Sequence, residues 1–414
     1  MIPYHIPPLI YQGGMHPYIN IVGTIVLFVL FLLTAKKPKL DFNSRFYIGF
    51  IIVFIALLFI QTVLQMFFVH DTASKSFQLT GAFMALITVM GFGVVLPLHY
   101  PLKRFIKVIL FWCIGIVLLS LLLLPIFNNG MFRGGRFVGV TKHIPHMVSI
   151  SSLAAIFLIA QWDLIFKSRL ITIIFYGFMT LACFFAVALT ATKAAMGSVF
   201  LATFFAILFI GRKGHIEQWG RLFIFGSMTL SIILLTPIAG ERIYEIASGE
   251  RALLGRPAQN GFETRWEEVV RGTDLYVQSP HLGLGILYKF MTNSKDGSID
   301  TYNSFKDPHN LFLSAGVIAG WPFMILVTIG YLCLVFKTFF IFFHRRSYPP
   351  EVLYAALFMA THLPVFLIYH VHLSLGGIAD RVYWCLTGYL MLSRTFLHTP
   401  LTSQTQGDSS KSHS

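Results

Sequence analysis

The residues of this sequence best suited to chemistry are cationic side chains and a histidine, placed in short polar stretches between apolar runs where a lipid-embedded scaffold has no need of them. Five such stretches stand out: Arg133 to His146 (RGGRFVGVTKHIPH), Thr190 to Lys193 (TATK), Arg265 with Arg271, His309 with Asn310, and His370 to Arg381. Fixed guanidinium and ammonium groups near a membrane interface suit a lipid-linked phosphate or diphosphate, whose oxygens they hold by charge-assisted hydrogen bonds. An imidazole titrates near neutral pH and can accept the proton of an attacking hydroxyl. Plainer roles compete with these. Arg136 and Arg381, at expected helix ends, fit cations that snorkel to the interface. Pro308 followed by polar residues is also an ordinary helix entry. Gly134 and Gly135 between Arg133 and Arg136 fit either a flexible lip that contacts substrate or a turn with exposed charges.

Several familiar chemistries are disfavoured. The chain has no G-x-x-x-x-G-K-[ST] phosphate loop, no H-E-x-x-H, no G-x-S-x-G and no Asp-x-Asp pair of the kind that holds a divalent ion in a sugar transferase. No cofactor or metal is therefore implied. Cys113, Cys183, Cys333 and Cys385 all fall inside apolar runs without C-x-x-C spacing, which fits packing residues better than disulfides or metal ligands.

The elements that must position these residues are membrane spans. Of 414 residues, 56% are hydrophobic and 12% charged, whereas a soluble domain carries about 25% charged residues. The formal charge of +14 is dispersed in clusters between apolar runs, which excludes a basic face for nucleic acid. The expected fold is an all-α polytopic integral membrane protein with about 11–12 transmembrane helices and one long periplasmic loop containing helical segments. Expected spans are Ile19–Thr34, Phe46–Val69, Phe77–His99, Phe105–Phe127, Met147–Phe166, Leu170–Leu189, Gly197–Ile210, Leu222–Ile238, Leu311–Phe336, Val352–Tyr369 and Val382–Leu397. The stretch from Leu311 through Phe343 is long enough for a span plus an interfacial turn.

Basic residues alternate between the loops. Seventeen fall in every second loop and the C-terminal tail, at positions such as Lys36, Lys103, Lys167, Arg212 and Arg345, against six in the opposite short loops. The positive-inside rule then puts the N-terminus outside and the tail inside. Residues 1–398 are expected to form a single membrane domain, with 240–308 as the long outer loop and 399–414 as a disordered cytoplasmic tail. That loop carries 8 basic and 10 acidic residues, and its segment Phe262 to Val277 has the spacing of an amphipathic surface helix.

Four pieces in order, TATKAAMG at Thr190 to Gly197, TRWEEVV at Thr264 to Val270, SPHLGLG at Ser279 to Gly285 and DPHNLFLSAGVIAG at Asp307 to Gly320, resemble the O-antigen ligase and polymerase superfamily of bacterial envelope proteins. The resemblance implies transfer of a saccharide from a polyprenyl (undecaprenyl) diphosphate carrier to an acceptor hydroxyl at the periplasmic face of the inner membrane, without a metal. Ligation of O-antigen to lipid A core is the expected reaction, and polymerisation of carrier-linked glycan repeats is the alternative with the same donor. A polysaccharide transporter or flippase is the alternative of another class; no internal repeat between the halves speaks for it. Under the resemblance, Arg265 and His309 are catalytic, while Lys193, Arg133, Arg136, Arg271 and Asn310 bind substrate. The implied partners are the lipid-linked donor, the core or glycan acceptor and membrane lipid. Lys193 stands where the family pattern usually has Arg, which keeps the charge without the bidentate fork. Val269 stands where a Trp commonly follows the loop Arg, with Trp266 adjacent to that Arg instead.

Overall fold

The computed structural model describes residues 42–68, 72–126, 131–133, 136–141, 144–160, 170–190, 193–206, 261–285, 310–366 and 378–393. The expected spans Ile19–Thr34 and Leu222–Ile238, the tail 399–414, and the loop segments 240–260 and 286–309 lie outside these residues. The described chain is all-α apart from one two-residue antiparallel pair, and the protein is an all-α polytopic membrane protein. In chain order the helices are α1 (Phe42–Phe68), α2 (Thr72–Leu86), α3 (Leu102–Leu123), α4 (Ile144–Ala160), α5 (Leu170–Leu189), α6 (Lys193–Phe205), α7 (Gly261–Gln278), α8 (Leu311–Phe343), α9 (Pro350–Phe366) and α10 (Ile378–Leu392). Strands β1 (Phe132–Arg133) and β2 (Arg136–Phe137) form a small hairpin between α3 and α4.

Among the described residues, Asn43–Phe67, Gly81–His99, Leu102–Leu123 and Leu311–Phe343 are long and apolar enough to cross a bilayer, and Met147–Ala160 and Ile174–Leu189 are shorter apolar helices. Their outer surfaces suit lipid: Phe67, Phe111, Phe336 and Phe343 are all more than 70% exposed. In water such faces would drive aggregation; against acyl chains they cost nothing. The inward faces close around Ile51, Cys113, Phe157, Phe323 and Phe358, all but fully buried.

Two departures from straight α-helix shape the bundle. In the first, α2 continues as a π-helix over Ile87–Val95 before a last α-turn, Leu96–His99. Its wider winding leaves the Gly93 carbonyl to accept from the Tyr47 hydroxyl at 3.1 Å. Gly93 and Gly388 meet here: a Cβ at Gly388 would run into the Gly93 carbonyl and Pro97, so α10 lies against α2 main chain to main chain. The Tyr389 hydroxyl extends this contact by donating to the Tyr100 carbonyl at 2.7 Å.

The second departure corrects the expected single span Leu311–Phe336. Ala319 (φ −142°) and Gly320 (φ 76°) are non-helical, and Pro322 follows with no N–H to give to the ladder. The chain reverses there. Phe312 packs edge-on against Tyr331, ring centroids 5.3 Å apart, and Met324 closes on Gly316. In one straight helix Phe312 and Tyr331 would stand about 28 Å apart at 1.5 Å per residue. The segment is therefore a short arm, 311–318, folded back along a long arm, 321–343. The long arm is sufficient to span a bilayer at about 34 Å.

Of the described cations, Lys103 and Lys337 lie at one end of the bundle. Lys103 at the start of α3 lies 3.9 Å from Glu351 at the start of α9, and Lys337 of the long arm donates to the Ser393 carbonyl beyond α10. The reversal at Gly320 is at the other end. Gly388→Val is expected to lower the detergent melting temperature by several degrees, on the scale of about 1–3 kcal/mol for an overpacked contact. Gly115→Ala, at a site where a Cβ meets nothing within 4 Å, is expected to leave it unchanged or raised; differential scanning fluorimetry of the two variants measures both.

Candidate functional site

The motif-bearing segments meet at the reversal of α8. Breaking a helix strands carbonyls, and inside an apolar bundle each stranded carbonyl needs a donor. The segment Ser279 to Gly285, immediately after α7, supplies several. Leu284 N–H donates to the Val317 carbonyl at 2.6 Å and Gly285 N–H to that of Ile318 at 3.0 Å, while Trp321 N–H returns a bond to the Pro280 carbonyl at 2.8 Å. The Trp321 indole N–H also donates to His281 Nδ1 at 3.0 Å. A buried amide from α1 closes the junction: Gln65 Nε2 donates to the carbonyls of Leu282 and, at 2.8 Å, Ile318. Gln78 of α2 donates to Leu284 at 3.3 Å.

Glycine is required on both sides of this joint. Gly283 (φ 73°) and Gly320 (φ 76°) adopt left-handed backbone, and a Cβ on either would enter the opposing chain, Ile318 to Ala319 for the first and His281 for the second. Gly283 thus lets the loop dock against the break in α8 as well as turn. Tyr276 near the end of α7 presses on Gly316, so the end of α7 packs on the short arm.

The expected site residues distribute as follows. Arg265 and Arg271 are both on α7, and Arg271 is exposed. Asn310 caps the short arm, its Oδ1 accepting from Phe312 N–H and Leu313 N–H at 3.0 Å each, which is the helix-cap role that the sequence left open beside sugar binding. His309 lies outside the described residues. The joint thus ties the helix bearing Arg265 and Arg271 to the arm that opens at Asn310. Lys193 is the first residue of α6, which packs on α4 and α9. Arg133 and Arg136 are paired across the β-hairpin, anchored by the fully buried Phe137 and by Val138 N–H bonding to the Met131 carbonyl.

Because the short arm folds inward, Asn310 does not sit at the outer rim of a straight span. Leu311 lines an apolar groove with Phe50 and Phe54 of α1, Val327 and Leu334 of the long arm, and Trp384 of α10. The hydroxyls of Tyr47 and Tyr331 in this groove are turned to main-chain carbonyls of Gly93 and Leu363, which leaves its walls hydrocarbon in character.

Sequence reading missed three buried polar groups in the spans. Gln65 and Gln78 serve the joint as above. His362 in α9 stacks on Phe358 at 4.1 Å and hydrogen-bonds the Phe358 carbonyl through Nδ1 at 2.9 Å. The available signal was the rarity of such side chains within apolar runs. Arg381, expected to snorkel, is instead 6% exposed, with its guanidinium 5.6 Å from the Phe92 ring centroid.

Gln65→Leu would take the amide donor from the Leu282 carbonyl and leave that of Ile318 with Gly285 N–H alone. The expected result is a loss of about 1–3 kcal/mol in stability, read as a lower melting temperature, and faster proteolysis of the loop around 279–285 than in the wild type.

No curated protein matches the chain. Residues 178–328 match the family model described as O-antigen ligase. That stretch runs from α5 past the reversal into the long arm of α8, holds all four motif pieces and the joint, and supports the likeness to the O-antigen ligase and polymerase superfamily.

Proposed function

We propose that the protein transfers a saccharide from a polyprenyl diphosphate carrier to an acceptor hydroxyl on the outer face of the bacterial inner membrane, the acceptor being lipid A core. The observation that carries this reading is the joint: two separate pieces of the family segment, one leading back to Arg265 and the other beginning beside His309, are hydrogen-bonded to each other. The joint lies at the end of the bundle away from Lys103, Lys337 and Glu351, the side that the positive-inside rule assigns to the exterior.

Breaking the anomeric C–O bond puts negative charge on the departing diphosphate. Arg265 and Lys193 are assigned to stabilise it, since preorganised cations in a water-poor site lower the barrier more than solvent does. His309 is assigned to take the proton from the incoming hydroxyl or hold it in line. Arg271 binds the donor at the edge of the site, Asn310 orients a sugar as well as capping the arm, and Arg133 with Arg136 meets the glycan. The apolar groove beside Leu311 offers the isoprenoid tail a hydrocarbon seat next to the arm that His309 precedes.

Purified protein given a synthetic polyprenyl diphosphate saccharide and a core acceptor is expected to form the joined product in detergent, where transport cannot be scored; no product under these conditions would overturn the reading. In cells, loss of the gene should remove all long chains from the core, whereas cores bearing a single repeat would identify a polymerase. Arg265→Ala and His309→Ala are each expected to reduce transfer at least 100-fold with unchanged membrane abundance by immunoblot, while Arg265→Lys and Lys193→Arg retain measurable turnover.

A further inference from the structure

Helix α7 carries an apolar face that the bundle leaves uncovered. At 3.6 residues per turn, its side chains from Trp266 onward fall into three sectors, each running the length of the segment. Gly272 and Leu275 are buried, and Glu268, Val269 and Tyr276 half-buried, on the side that meets the bundle. Glu267, Arg271, Asp274 and Gln278 are exposed in a second sector. Trp266, Val270, Thr273 and Val277 are exposed in a third, within about 60° of arc. Thr273 belongs with the apolar residues, because its hydroxyl donates to the Val269 carbonyl at 2.9 Å and needs nothing from water.

The joint fixes the level of this face. Gln65, which donates to the joint, is 20 residues along α1 from the exposed Arg45, about 30 Å and so one hydrocarbon thickness from the opposite end. The last turn of α7 leads directly into the joint, which puts it at a boundary of the hydrocarbon layer, at the end away from Lys103 and Lys337. A helix crossing that boundary would change from polar to apolar along its length. Because α7 keeps both exposed sectors throughout, its axis lies in the membrane plane. The apolar sector also continues a surface that faces lipid. Trp321, Ile325, Ile329, Leu332 and Phe336 form an exposed stripe down the long arm of α8. Its first member, Trp321, donates its indole N–H to His281, three residues beyond α7, so the lipid-facing stripe starts where α7 ends.

We propose that α7 is an interfacial helix docked on the phospholipid of the outer leaflet, with Trp266, Val270, Thr273 and Val277 seated about 5–10 Å into the boundary of headgroups and acyl chains. The contact is apolar and not electrostatic: the helix carries two Arg against four carboxylates, so an anionic surface has no hold on it. An indole ring suits this level, where its N–H meets water and its body meets hydrocarbon. Seated in this way, α7 is held from two sides, by the joint and by lipid, and its charged sector with Arg271 turns to water. The inference needs the bundle to be in a membrane and does not depend on the transfer reaction.

The test uses the full chain, one copy per lipid nanodisc, in phosphatidylcholine brominated either near the carbonyls or near the chain ends. Trp266 emission is the difference between wild type and Trp266→Phe. It is expected to be quenched about twofold by the shallow bromines and less by the deep ones, with no change on raising salt or adding phosphatidylglycerol. Joint substitution Val270→Asp and Val277→Asp should cut this quenching several-fold; undiminished quenching would mean that the sector is not the contact. No quenching by either lipid would place the face against protein or in water, and stronger quenching by the deep bromines would mean a helix that enters the membrane; each overturns the proposal. Quenching that needs phosphatidylglycerol and is lost in salt would overturn the apolar basis of the docking. If Trp266→Phe does not fold, nitroxide labels on Val277→Cys and Glu267→Cys decide, read above the signal of the unsubstituted chain. Greater collision with oxygen at 277 and with a water-soluble nickel chelate at 267 supports the proposal, and nickel preference at both refutes it.

Discussion

The need to satisfy main-chain carbonyls in a hydrocarbon environment governs this structure. A continuous helix meets that need by itself, but α8 breaks at Ala319–Gly320, and from that point the fold depends on donors from elsewhere. They come from the backbone of Leu284 and Gly285 and from the side chain of Gln65, three donors on two segments that are far apart in sequence. The break therefore recruits a loop and the end of α1 into one unit. A helix without the break would have no reason to hold α7 in place. The family's sequence pieces are, on this view, partly structural: SPHLGLG and the AGVIAG end of the last piece are the two halves of one hydrogen-bonded contact.

Much of the architecture was legible from hydropathy. The starts and ends of α1, α3, α5 and α9 fall within a few residues of the apolar runs, because length and apolarity are what a bilayer selects. The course of α8 was not. Composition cannot distinguish a long span from two antiparallel arms, and the deciding feature, a left-handed Gly320 flanked by Ala319 and Pro322, acts only when a partner loop accepts the reversal. The place of Gly283 was hidden for the same reason: its requirement for close approach depends on Ile318, 35 positions away.

The candidate site was legible in parts. Arg265 and Arg271 do lie on a helix, as the spacing of Trp266, Val269 and Tyr276 suggests, and that helix leads directly into the joint. Asn310 shows both the strength and the limit of residue-type reasoning, since Asn before an apolar run is a good cap and the structure realises that cap. Arg381 went the other way. A cation near the start of a span reads as interfacial when the span is assumed to begin at the membrane surface, and α10 begins deep beside the π-helical stretch of α2. Depth is a tertiary property and leaves no mark on the local sequence.

The touching main chains of Gly93 and Gly388 have a mechanical meaning. With no side chain between them, α2 and α10 cannot slide or roll past each other without opening a void, and Tyr47 and Tyr389 pin the same seam from either side. That pair acts as a stiff stave. Bending of the bundle is therefore resisted along this seam more than along faces that pack through side chains.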